Sequence, residues 1–152
     1  MTRAVILFLA LMFLTDAATA APIEQSEVLV IEGDLIRIHR KQPDVRLLGF
    51  NAPEIRRAQC RDEKAYGTKA ARRLREIIRS GNLDFEFSAC PCPPKTEGTK
   101  ACDYGRRCGS LKANGRDVGS ILIEEKLAVP FSCGETGCPR TPRPWCKAMG
   151  LR

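Results

Sequence analysis

Arg46, Asn51 and Glu54 lie in the run Val45-Arg46-Leu47-Leu48-Gly49-Phe50-Asn51-Ala52-Pro53-Glu54, and Arg106 ends a second run, Asp103-Tyr104-Gly105-Arg106. Two arginines and a carboxylate can together serve the hydrolysis of a phosphodiester. A planar guanidinium grips two phosphate oxygens at once. A carboxylate can take a proton from an attacking water, and fixed cations stabilise the charge that builds on the phosphoryl oxygens. Asp34 and Asn51 add hard oxygen donors of the kind calcium accepts. Each residue also has an ordinary reading. Asp34 follows Gly33 in a turn, Glu54 follows Ala-Pro where a turn or helix starts, and Arg46 and Arg106 suit surface ion pairs. The case rests on the set.

The elements that must position these residues follow from the hydrophobic pattern. Residues 28–31 form an apolar run, Glu32-Gly33-Asp34 a turn, and residues 35–40 a second strand with Ile36 and Ile38 on one face: a hairpin signal. Residues 45–50 read as a third strand, which Pro53 ends. On a regular strand Arg46 and Asn51, five positions apart, face opposite sides unless the strand end bends. From about residue 67 to 79 the period becomes helical, with Ala70, Ala71, Leu74, Ile77 and Ile78 inward and a basic outer face that reads as solvated. Leu83, Phe85 and Phe87 mark a fourth strand, residues 88–100 a loop, and residues 108–113 a fifth strand closed by Asn114-Gly115. Asp117 can cap a short helix with Val118, Ile121 and Leu122 inward. Beyond Ala128 the chain reads as loop. Mainly β with helices (α+β), five strands with a helix between the third and fourth, and a short C-terminal helix fit a small OB-type barrel.

The chain has 152 residues and a net charge of +7, so a polyanion (nucleic acid, an acidic polysaccharide or a lipid surface) is the favoured partner class. Residues 1–20 read as a signal peptide: Arg3, an apolar run from Val5 to Leu14, and Ala18-Thr19-Ala20 as the cleavage site. The run is short for a membrane span and no second one follows, so the mature form is expected to be exported, periplasmic or secreted, with no span. Eight cysteines, an even number, read as disulfides in an exported domain. Cys90-Pro91-Cys92 lacks the usual zinc spacing, and His39 is the one histidine. Bridges at Cys102 or Cys108 would stiffen the second arginine run. Of Cys133, Cys138 and Cys146, at least one must pair elsewhere or stay free.

Together Ile31-Glu32-Gly33-Asp34, the run from Val45 to Glu54, Tyr66-Gly67, Asp103-Tyr104-Gly105-Arg106, Gly115 and Leu127-Ala128 resemble the staphylococcal nuclease (thermonuclease) family, in order, over roughly residues 28–131. The resemblance implies an OB-fold barrel in residues 21–131 and calcium-dependent hydrolysis of DNA and RNA; the cysteine-rich tail in 132–152 departs from the family's founding member. By position it implies Asp34, Asn51 and the carbonyl of Ala52 as metal ligands, Glu54 as general base, Arg46 and Arg106 as phosphate clamps, and Tyr104 as a nucleotide contact. Glu32 and Asn51 stand where the family has aspartates, and Leu35 where it has threonine. The later tyrosines that hold the nucleotide have no match near Pro130 and Phe131. Asn51 keeps an oxygen but loses a charge, so calcium affinity should weaken. The tail, with Pro144-Trp145-Cys146, is similar to an exported cysteine-rich branch. The alternative is a weakly active or non-catalytic protein of this fold that assists exopolysaccharide (succinoglycan) biosynthesis or binds an acidic polymer.

Overall fold

The computed structural model describes residues 21–134 and 137–146. The expected leader, residues 1–20, and the end of the tail lie outside the described residues. The strands are β1 (Ala21–Ile23), β2 (Val28–Glu32), β3 (Leu35–Ile38), β4 (Val45–Leu47), β5 (Gly49–Asn51), β6 (Leu83–Ser88), β7 (Arg107–Ala113), β8 (Arg116–Asp117) and β9 (Val129–Phe131). The helices are α1 (Arg61–Ser80) and α2 (Val118–Glu124), with single 3-10 turns at Gln25–Glu27 and Asp103–Gly105.

The main sheet runs β1-β6-β7-β4-β3-β2, with β8 on β7. It is mixed: β4 and β7 are parallel, while the other pairs are antiparallel. Its two edges, β1 and β2, are consecutive in the chain. Five strand spacings of about 4.8 Å would hold the edges of a flat sheet about 24 Å apart. Residues 24–27 bridge about 17 Å even fully extended, and three of them are coiled in a 3-10 turn. The sheet must therefore curl into a half-barrel. This is an α+β arrangement consistent with an OB-like topology, but its ladder differs from the expected closed five-stranded barrel. Among the described residues no hydrogen-bonded pairing joins β1 to β2; the chain itself links the two edges.

α1 packs against β2, and its buried Ala70, Ala71, Leu74, Ile77 and Ile78 join Ile36, Val45, Leu47, Phe50, Leu111 and Leu122 in one core. The helical period expected for residues 67–79 is present, but α1 begins at Arg61. Cys60 caps it, its sulfur accepting from the Glu63 N–H at 3.4 Å, and the acidic Asp62 and Glu63 suit the positive end of the helix. The basic face does tie into the fold: Arg73 binds Glu125 next to α2 at 2.8 Å. Asp117 caps α2, accepting from the Ser120 N–H at 2.8 Å.

Two expectations about strands change. The single strand expected at residues 45–50 is two, because Gly49 takes a φ of +92°, a conformation that glycine adopts without steric cost. The loop expected after Ala128 contains β9, which pairs with β5 through Asn51 and Val129. All eight cysteines are bridged, as Cys60–Cys146, Cys90–Cys108, Cys92–Cys102 and Cys133–Cys138. Cys102 and Cys108 flank the second arginine run, and each is tied back to the Cys90-Pro91-Cys92 segment. Cys146 is the tail cysteine that pairs elsewhere. No helix among the described residues is long and apolar enough to cross a membrane.

Candidate functional site

Three buried carboxylates hold the backbone from which the site projects. Asp34 leaves the β2–β3 turn with its carbonyl accepting from the Leu47 N–H at 2.9 Å. Its Oδ2 accepts from the Ala52 N–H at 2.9 Å. Glu32 Oε1 accepts from the N–H groups of Ile55 and Arg56, each at 3.2 Å. Glu63 Oε2 accepts from the Gln59 N–H at 2.7 Å, and its Oε1 lies 3.5 Å from the Glu54 nitrogen. Residues 52–59 have no ladder of their own, so these side chains satisfy backbone donors that a strand would otherwise pair. Gly67 brings α1 against this segment: a Cβ there would sit 2.6 Å from the Pro53 carbonyl oxygen and 2.8 Å from that of Glu54.

The bend at Gly49 realises the exception that the spacing of Arg46 and Asn51 allowed. Both side chains reach the same place. Arg46 Nη2 donates to Asn51 Oδ1 at 2.8 Å and lies 3.2 Å from Asp34 Oδ2. Asn51 is only 3% exposed, and its Nδ2 donates to the carbonyl of Pro142 in the tail at 3.0 Å. The Asn51 amide is thus used at both ends, one accepting and one donating.

Glu54 is tied less tightly. Its Oε2 is buried without a hydrogen-bond partner among the described residues, and the nearest cation, Arg57 Nε, is 3.5 Å away. The Arg57 guanidinium stacks 4.7 Å from the Tyr104 ring centre, and that of Arg106 lies 5.5 Å from the same ring. Tyr104 is 68% exposed, with a φ of +60°. The 3-10 turn that carries it is bracketed by the Cys92–Cys102 and Cys90–Cys108 bridges. Arg106 Nη1 lies 3.4 Å from Asp103 Oδ1.

The electrostatics join these parts into one cluster. Burial pushes the Asp34 carboxyl above its usual range. The Arg46 charge and the Ala52 N–H oppose this, the Glu32 charge adds to it, and the Arg106 charge opposes it. Burial likewise raises Glu54, followed by Glu32; Arg57 opposes, Asp34 adds, and Arg143 opposes. Asp34, Arg46, Asn51, Ala52, Glu54, Tyr104 and Arg106 are therefore brought together by contact or by charge. Sequence reading missed Arg57, Glu63, Pro142 and Arg143. The one hint was that at least one of Cys133, Cys138 and Cys146 must pair elsewhere or stay free; it is Cys146 that pairs with Cys60.

Among the described residues the carboxylate oxygens of Glu32, Asp34 and Glu54 do not close to within 4.8 Å of one another as a ready ligand set. Glu32, Asp34 and Glu54 repel one another, and the Glu54 oxygen is unsatisfied. A metal would compete with Arg46, which already engages the oxygens of Asp34 and Asn51. A second group, Cys60, Glu63 and Cys146, has ligand atoms within 4.8 Å of one another. Its two sulfurs are bonded to each other, so neither is a thiolate donor as the chain stands.

No family model matches the chain. Among curated proteins it is similar to endonuclease YncB of Bacillus subtilis (strain 168), with 31% identity over 101 residues, 64% of this chain and 43% of that protein. It is also similar to the SPbeta prophage-derived endonuclease YokF of the same organism, with 29% identity over 101 residues, 64% of this chain and 31% of that protein. The chain spans less than half the length of either relative.

Proposed function

We propose that the chain is an exported, metal-dependent nuclease that hydrolyses phosphodiester bonds of DNA or RNA, with residues 21–131 as the nuclease unit and 132–152 as its tail. The observation that carries this reading is the pairing of Arg46 with Asp34 at 3.2 Å near Glu54, whose buried Oε2 has no hydrogen-bond partner among the described residues, with the Arg106 charge acting on the same Asp34. The similarity to proteins named endonucleases supports it.

Arg46 and Arg106 bind the phosphate oxygens and stabilise the charge that grows there. Glu54 takes a proton from a water whose oxygen attacks phosphorus. The new P–O bond forms as the ester bond to the leaving sugar oxygen breaks; that oxygen takes a proton from solvent water, and Glu54 gives its proton back to solvent. A raised Glu54 carboxyl is a better proton acceptor than an exposed one. Asp34, Asn51 and the carbonyl of Ala52 are the residues that would hold calcium. Bound there, the ion supplies Lewis acidity to the phosphate and lowers the pKa of its water. Tyr104, exposed between two guanidinium groups, offers a face for a base or sugar.

A second reading is a non-catalytic module of the same fold that binds an acidic polymer such as an exopolysaccharide. It draws on one observation: Arg46 already neutralises the oxygens that would take the metal. The test is incubation of purified protein with DNA and with RNA, in calcium and in chelator. Cleavage in calcium alone is the expected result. Salt-sensitive binding without cleavage in either condition would overturn the nuclease reading in favour of the second.

A further inference from the structure

We propose that the tail segment 142–146 is a working part of the site: Arg143 is a positioning residue that acts through Glu63 on the loop carrying Glu54, and the Cys60–Cys146 bridge keeps it in place. The inference rests on the reading of Glu54 as the base.

Glu63 is fully buried in the first turn of α1. A carboxylate in that position needs a counter-charge and full hydrogen bonding. The counter-charge comes from Arg143, 80 residues away in sequence, whose Nε donates to Glu63 Oε1 at 2.8 Å. The Arg143 Nη2 lies 2.8 Å from the same oxygen and donates to the Arg57 carbonyl at 2.7 Å. Glu63 in turn accepts from the Gln59 N–H and faces the Glu54 nitrogen. These contacts from Glu63 and Arg143 to the loop all reach its backbone. They set the path of residues 54–59 and hence where the Glu54 side chain starts.

Two further ties fix the tail. Trp145 is 8% exposed, and Cys146 is bonded to Cys60, the residue that caps α1. At the other end of the segment, the Pro142 carbonyl accepts from Asn51 Nδ2. An aspartate at position 51 has no proton to give that carbonyl, so an amide there matches the presence of the tail. The candidate site is thus complete only when the tail is clasped, and reduction of one disulfide would release it.

The experiment uses the full chain and reads two things: peptide-level amide hydrogen exchange, and kcat and KM on DNA in calcium. Arg143→Ala and the pair Cys60→Ser/Cys146→Ser are expected to speed exchange of residues 54–60 by about tenfold or more, while β6 and β7 stay protected. They should lower kcat by about tenfold with little change in KM, as expected when a group is misplaced and binding is retained. Arg143→Lys keeps the charge beside Glu63 and should recover part of both effects, which a merely volumetric role would not allow. If Arg143→Ala unfolds, the double-Ser variant gives the same reading. Unchanged exchange in 54–60 for Arg143→Ala or the double-Ser variant overturns the proposal, whatever the activity. Faster loop exchange in a protein whose wild type cleaves nothing would keep the positioning role and remove the nuclease reading.

Discussion

The strand-borne half of the site and the loop-borne half each pair arginine with a carboxylate but are held by different means. Asp34 sits in the β2–β3 turn, Arg46 in the middle of β4 and Asn51 at the end of β5; Asp34 and Asn51 are nearly closed to water, and Arg46 contacts both. Glu54, Arg57, Tyr104 and Arg106 sit on segments outside the main ladder, held by carboxylates, two disulfides near Tyr104 and a third that clasps the tail. Where the sheet supplies rigidity, a charged side chain is part of the fold. Where disulfides and caps supply it, the charged side chains make longer contacts, Arg57 with Glu54 at 3.5 Å and Arg106 with Asp103 at 3.4 Å. The two halves should therefore answer mutation differently.

The largest expected effect is on activity, and it should be common to both halves. Arg46→Ala and Arg106→Ala should each lower kcat/KM on nucleic acid by about 10²–10³, the usual loss when one group that stabilises transition-state charge is removed. A fall in one alone would break the pairing of the two arginines. Stability should then separate them. Arg46→Ala leaves Asp34 buried without its cation and should lower the unfolding free energy by about 3 kcal/mol in a urea titration. Arg106→Ala removes a 3.4 Å contact with Asp103 and should cost about 1 kcal/mol or less. Equal losses would mean that the halves are not held differently.

Asn51→Asp tests the join between the halves. Restoring a charge should lower the calcium needed for half-maximal activity by about tenfold, since affinity follows ligand charge. It should also cost about 1 kcal/mol, because the donor to Pro142 is lost. No change in the calcium requirement would remove position 51 from the metal site.

The smallest effect is in pH. Asp34 and Glu54 both have carboxyls raised in the folded state, from ordinary values of 3.8 and 4.5. The folded chain then binds more protons than the unfolded one in the window just above those values. Their contribution to stability is full below the unfolded values and is lost as pH rises through the folded ones. In chelator, replacing either by its amide should flatten a fall in stability with rising pH. A rise with pH from these two groups would contradict the burial that raises them.

Much of the strand-borne half was legible because short-range pattern specifies it. The alternation at Ile36 and Ile38 set β3, and Asp117 announced the start of α2. The family resemblance named Asp34, Arg46 and Asn51, and Arg46 does contact both of the others. What was not legible depends on distance in the chain. Glu63 looks like any acidic residue near a helix start until Arg143 arrives from 80 positions away. The bend that puts Arg46 beside Asn51 turns on one positive φ at Gly49, and glycine in a strand signals several outcomes. β9 contains Pro130, which argues against a central strand and is tolerated in this two-stranded ladder. The pairing of eight cysteines, about 105 ways by count alone, needed the fold.

The most direct measurement of the central claim compares wild type with Glu54→Gln on one oligonucleotide in calcium, following cleavage and binding together. The account predicts that wild type cleaves, that Glu54→Gln binds with similar affinity, and that its turnover falls by about 100-fold or more, the usual share of a general base. Cleavage by both at the same rate, or by neither, would contradict it.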